Sequence, residues 1–229
     1  MNHGGLAARR TRKSDETRTR ILNAALALFR NRGFEATTMR DIARESGVAL
    51  GATYYHFHSK EAIVLAFYEL AKEELRDPLE RALAESRTLA EGISSLLRLK
   101  FDYFAPNKKF LGALFAHAAD PHDPLSPFSE QTREIREVDA LYFRRLLTQV
   151  GLKLPKDIAP HLPALLWLYQ MGLILYWIYD RSENHRRTNT LMEKSVPIVV
   201  RFVEMSRSPF AAPLRKMAVD LIETVMKDR

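Results

Sequence analysis

Apolar residues recur three and four positions apart through nearly the whole chain, and no segment alternates apolar and polar long enough to read as a strand. The first clear stripe is Ile21, Leu22, Ala25, Leu28 and Phe29, on a helix predicted from about Asp15 to Arg32, with Gly33 where a helix C-cap belongs. A short second helix is predicted from Thr38, where Thr38 and Asp41 have the pattern of a capping box with Asp in the place of Glu. Gly47 ends it. A third spans about Leu50 to Phe57, and a fourth opens at Ser59, a good N-cap, and runs to about Asp77. Two short helices joined by a tight glycine-containing turn are the pattern of a helix-turn-helix. Ile42, Ala43 and Val48 can pack the pair together, and Gly47 supplies a left-handed backbone that a β-carbon resists.

Beyond residue 60 the chain reads as six or seven more helices. Breakers fall at Asp77-Pro78, at Ala105-Pro106-Asn107, from Asp120 to Ser129, from Gly151 to Pro155, from Asp180 to Asn184 and from Ser208 to Pro213. An added helix, Pro213 to Lys227, closes the chain. Two of these helices are apolar on nearly every side. One, about Lys156 to Arg181, carries Leu165, Leu166, Leu168, Leu173, Ile174 and Ile178; the other, about Thr190 to Arg207, carries Val196, Ile198, Val199, Phe202 and Val203. A helix of this kind has to be buried on more than one side, by its own chain or by a partner. The longest apolar stretch, Pro163 to Tyr179, falls short of the roughly 20 residues of a membrane span. It holds Trp, Tyr and Gln along its length, so a buried helix and no membrane partner are expected.

Charge sharpens the picture. Residues 1–60 hold eleven Lys and Arg against five Asp and Glu, which is +6 of the net +7 carried by 229 residues. A basic end on a near-neutral body suggests a polyanion partner, although a solvated basic arm has the same composition. Residues 1–14 are polar and basic and read as a disordered arm; no secretory signal is expected there, and a cytoplasmic location is. The chain has no cysteine, which excludes disulfides and thiolate metal sites. It also lacks a glycine-rich phosphate loop and any recognisable nucleophile–base pair, so no enzyme and no cofactor are expected.

The run Gly47-Val48-Ala49-Leu50-Gly51-Ala52-Thr53-Tyr54-Tyr55-His56-Phe57-His58-Ser59-Lys60-Glu61 resembles the DNA-binding core of the TetR family. Upstream, Gly33-Phe34-Glu35-Ala36-Thr37-Thr38-Met39-Arg40-Asp41-Ile42-Ala43 resembles the same family's second helix. The resemblance covers about residues 15–65. It implies an all-α protein with a three-helix helix-turn-helix DNA-binding domain over 15–60, followed by a helical ligand-binding and dimerisation domain over 61–229. The implied DNA-facing positions are Leu50, Gly51, Ala52, Tyr54, Tyr55 and His56 on the third helix. Thr38 and Arg40 at the second helix and Lys60 at the start of the fourth are the implied phosphate or base-edge contacts. Three positions depart from the family pattern: Ala49 loses a cap, Ala52 loses a hydroxyl, and Thr53 stands where Leu or Ile packs inward.

The resemblance further implies a homodimer on double-stranded, near-palindromic operator DNA, released by a small-molecule effector. Repressor is the leading reading; an activator of the same fold and a nonspecific DNA-binding protein stay open. Candidate effector contacts are Tyr103, Phe104, Phe115, His117, Trp167, Gln170 and Trp177, large or polar groups on otherwise apolar helices that suit an apolar or aromatic molecule. Aromatics at this spacing also serve as plain core. His117, Asp120, His122 and Asp123 are close enough in sequence to suggest a metal. The prolines around them read as an exposed loop instead, and no metal is expected.

Overall fold

The computed structural model describes residues 3–115, 120 and 122–227, with side chains from residue 13 to residue 224 of these. Ten α-helices follow one another: α1 (His3–Arg32), α2 (Met39–Ser46), α3 (Leu50–His56), α4 (Lys60–Glu85), α5 (Leu89–Phe104), α6 (Lys108–Phe115), α7 (Arg133–Gln149), α8 (Leu162–Tyr179), α9 (Arg186–Met205) and α10 (Ala212–Lys227). No strand occurs among the described residues. The chain forms two compact units. The first is residues 1–73 with 106–133, and the second is residues 74–105 with 134–229. The border falls inside α4 and is crossed again before α6 and after Arg133, the first residue of α7.

The first unit is built around α1. Ile21, Ala25 and Phe29 are fully buried, as the apolar stripe predicts, and Ile42, Ala43 and Phe57 close over them. The reason α6 belongs here is aromatic. Phe110 stacks on Phe29 with ring centroids 5.0 Å apart, and Phe34 meets Phe29 edge-on at 5.2 Å. Phe67 of α4 joins the same cluster, 6.1 Å from Phe110. The helix α1 starts well before Asp15. The stretch read as a disordered arm continues it backward to His3, and the Leu, Ala, Arg and Lys residues there are strong helix formers. In the loop before α7, Ser126, Ser129 and Thr132 are buried, and Thr132 Oγ1 donates to the Ser126 carbonyl at 2.7 Å. That loop is less exposed than its prolines suggest.

In the second unit α5 packs against α8 and α9. Gly92 allows α5 to lie close to Leu146 of α7, whose side chain occupies the space a β-carbon at 92 would need. Helix α8 is long and apolar enough to cross a membrane by length and composition alone. Here one face of it is core: Leu166, Trp167, Gln170, Leu173 and Trp177 are buried. The opposite face is not, and Leu168, Leu175, Tyr176 and Tyr179 are exposed. Helix α9 divides in the same way, with Val196 and Val203 buried and Ile198, Phe202 and Met205 exposed. The burial on all sides that the sequence calls for is thus met only in part by this chain. The turn between α8 and α9 is held by Asp180, which accepts from the backbone and hydroxyl of Thr188 and from the backbone of Ser182.

Candidate functional site

The helix-turn-helix is made by α2 and α3. At its start Thr38 and Asp41 form a reciprocal capping box: Thr38 Oγ1 accepts from the Asp41 backbone at 3.2 Å, and Asp41 Oδ2 accepts from the Thr38 backbone at 3.1 Å. The Thr38 hydroxyl also donates to that carboxylate at 2.6 Å. These hydrogen bonds from Thr38 hold the Asp41 carboxyl below its ordinary pKa, helped by Arg44 and Arg32. Both donors of Thr38 are therefore spent inside the box. What remains outward at this helix N-terminus is the backbone of the first turn and the exposed Arg40. Between the helices Gly47 takes φ 63, the left-handed conformation the turn requires. Arg20 of α1 donates to the carbonyls of Ser46 and Gly47 at 3.0 and 3.3 Å, fastening the turn to the helix behind it.

On α3 the inward residue is Thr53, fully buried, and its hydroxyl donates to the Ala49 carbonyl at 3.2 Å, which satisfies the polar atom where an aliphatic side chain is the usual choice. Ala49 provides no side-chain cap, as its identity dictates. Phe57 is core, with the Arg18 guanidinium 4.8 Å from its ring centroid. Gly51, Ala52, Tyr54 and Tyr55 face outward, with Leu50 and His56 half-buried at the edges. Tyr55 is 84% exposed and meets His56 edge-on at 5.4 Å. The outward surface is accordingly apolar and aromatic, flanked by cations. Lys60, expected at a phosphate, is held by its own chain in this structure. Its ammonium lies 4.3 Å over the Phe34 ring and donates to the Phe34 carbonyl at 2.8 Å.

The candidate effector contacts number seven and do not all belong to one unit. Phe115 belongs to the first unit, His117 lies outside the described residues, and the other five belong to the second unit. Tyr103 donates its hydroxyl to Glu74 at 2.7 Å; burial and this carboxylate raise its pKa. Phe104 meets Tyr103 edge-on at 5.1 Å. Trp177 stacks on Phe101 at 5.4 Å, and Trp167 has the Arg136 guanidinium 5.9 Å from its ring. Gln170 donates to Asp139 at 2.9 Å, and Lys100 pairs with the same carboxylate at 2.6 Å. Lys100 and Asp139 escaped the sequence reading. The signal for Lys100 was a lone cation in the stripe of Leu96, Leu97 and Phe101; for Asp139 there was none. His122 lies 3.3 Å from Asp120 on an exposed stretch, and no group of three metal-ligating side chains occurs among the described residues.

An all-α chain with a short helix held outward by a capped, glycine-turned partner is a helix-turn-helix DNA-binding protein. Comparison with known families gives the same answer. Residues 21–67 match the model of bacterial regulatory proteins of the tetR family, and residues 93–223 match that of the tetracyclin repressor-like C-terminal domain. The chain belongs to the TetR family of transcriptional regulators. It is 31% identical over 140 residues to the HTH-type transcriptional regulator BetI of Rhizobium meliloti, an alignment covering 59% of this chain and 64% of that one. To UidR of Escherichia coli K12 it is 42% identical over 81 residues, 35% of this chain and 38% of that one. The chain thus spans less than two thirds of the length of these relatives. The FadR repressor of Thermus thermophilus, solved with lauroyl-CoA, superposes with TM-score 0.55 at 27% identity, covering 77% of this chain and 93% of that one.

Proposed function

We propose that this chain is a ligand-released repressor that binds a near-palindromic operator as a homodimer in the cytoplasm. The observation that carries this reading is the outward face of α3, Gly51, Ala52, Tyr54 and Tyr55, free of the protein core and flanked by exposed Arg40. A face this poor in hydrogen-bonding groups suits the major groove through apolar contact: Leu50 and Ala52 against thymine methyls, the two tyrosines on the backbone, Arg40 on a guanine edge or a phosphate. The remaining discrimination comes from the ease with which the operator deforms. The exposed stripes on α8 and α9 support the dimer, and a two-fold dimer reads two half-sites on one side of the DNA. The lauroyl-CoA held by the Thermus thermophilus repressor supports an effector with a large apolar part. Release follows if the effector favours a conformation whose two α3 helices no longer match the half-site spacing.

The test is selection of bound sequences from random DNA at about 0.15 M salt, where nonspecific phosphate binding is weakened. A near-palindrome is expected. Its absence, with binding that merely follows salt, would make this a nonspecific DNA-binding protein. Transcription in vitro from a promoter carrying the selected site then gives the sign of regulation.

A further inference from the structure

Three polar side chains from three helices meet inside the second unit. Lys100 of α5 is 6% exposed and Gln170 of α8 is 1% exposed, and Asp139 of α7 joins them through one oxygen, Oδ2, which takes both the ammonium and the amide NH2. That contact fixes the amide. A carboxylate only accepts hydrogen bonds, so the NH2 faces it and the amide oxygen faces away. Gln170 Oε1 accepts no hydrogen bond, and it is the one buried side-chain N or O atom so left among the described residues. The neighbours one turn away on the same helices, Leu96, Leu97, Phe143, Leu166 and Leu173, are buried and apolar. A stranded acceptor in such a setting is a standing demand for a donor, where a leucine would have filled the space without one.

We propose that Lys100, Asp139 and Gln170 are the polar anchor of the effector site, and that the anchor takes a neutral hydroxyl, a phenol or an alcohol on an apolar body, in preference to an anion. The proposal rests on the reading that this regulator answers to a small molecule. Charge decides the preference. The ammonium and the carboxylate already cancel, so an incoming carboxylate brings a second buried negative charge beside Asp139. It also offers only acceptors, and leaves Gln170 Oε1 unmet. A hydroxyl donates to Gln170 Oε1 and accepts one of the further N–H groups of Lys100. Trp167 and Trp177 lie on the buried face of the same helix as Gln170, one turn before it and two turns after, and supply aromatic surface for the body.

The same two side chains give the readout, because they are the only tryptophans in the chain. The full chain, with a labelled operator present, is titrated with 4-hexylphenol, hexylbenzene and 4-hexylbenzoate, following tryptophan fluorescence and operator release together. The phenol is expected to bind at least about tenfold more tightly than hexylbenzene, the scale of one buried hydrogen bond. Gln170→Met is expected to bring the two together while leaving hexylbenzene binding in place. If that variant does not fold, the ratio in the unaltered protein carries the test. Equal binding of phenol and hexylbenzene, tighter binding of the benzoate, a phenol preference that survives Gln170→Met, or silence of all three probes would overturn the anchor. Operator bound in those same samples leaves the regulator reading standing; operator never bound sinks that reading separately.

Discussion

A β-carbon added at Gly51 would meet no atom within 4 Å, so nothing in the protein requires glycine there. Gly51→Ala should raise the melting temperature slightly, since alanine is favoured over glycine in a helix by about 1 kcal/mol. If α3 lies in the major groove, the same methyl should lower operator affinity, and a fluorescence-anisotropy titration beside a thermal melt separates the two effects. Unchanged affinity would mean that DNA does not approach position 51. Leu50→Ala should alter the preferred operator sequence in a repeated selection; an unaltered preference removes the thymine-methyl contact from the scheme. At this scale the sequence was legible where the interaction is local. Thr38 with Asp41 and the left-handed Gly33 and Gly47 each involve residues a few positions apart, and all stand as read. The partners of Lys60 were not legible, because the ring and carbonyl that hold it belong to Phe34, 26 residues earlier.

Helix ends and helix contacts give two further expectations. Gly92→Ala drives a methyl into Leu146, and overpacking of this sort costs about 1–3 kcal/mol, more than the propensity gained by alanine. A melt followed by circular dichroism should show a lower melting temperature with the helical signal at about 20 °C, near the temperature of maximum stability, unchanged. Asp180 concerns acid. Burial works to raise its pKa, but hydrogen bonds from Ser182 and Thr188 outweigh it and hold the carboxyl well below the usual range. Its contribution is therefore present above the ordinary Asp value of about 3.9 and is lost as pH falls toward the folded value. Asp180→Asn should lower the melting temperature at neutral pH, with the gap to the unaltered protein closing as pH drops below about 4. A gap constant with pH would show that the carboxylate charge plays no part. Helix order and the caps at Thr38, Gly47 and Ser59 were readable because period and turn chemistry are local, but the break expected at Asp77-Pro78 is absent: α4 runs through Pro78 to Glu85. The attachment of α6 to the first unit was not readable, since it follows from a distant Phe29–Phe110 contact; nor was the early start of α1, which runs through Gly4 and Gly5 against local propensity.

For the whole molecule the exposed stripes of α8 and α9 set the expectation. Phe202, 66% exposed, sits between Ile198 and Met205 on α9. Phe202→Glu should give a folded monomer by sedimentation equilibrium, and operator affinity should fall by roughly 100- to 10,000-fold as the second half-site contact is lost. A dimer that persists with full affinity would move the interface elsewhere. The sequence named these helices as apolar all round but could not say which side faces outward, because the two faces are divided by packing against α5 and against each other. The threefold crossing of the border between the units has a consequence for how such proteins are recombined. A DNA-reading head cut out as residues 1–73 would leave Phe29 and Phe34 without Phe110, so the head is not a cassette. Hybrids that graft this reading helix onto another regulator's body should hold together only if residues 106–133, or an equivalent aromatic wedge, travel with it. A new operator is in this sense inherited only with a stretch of chain that follows α5 of the other unit.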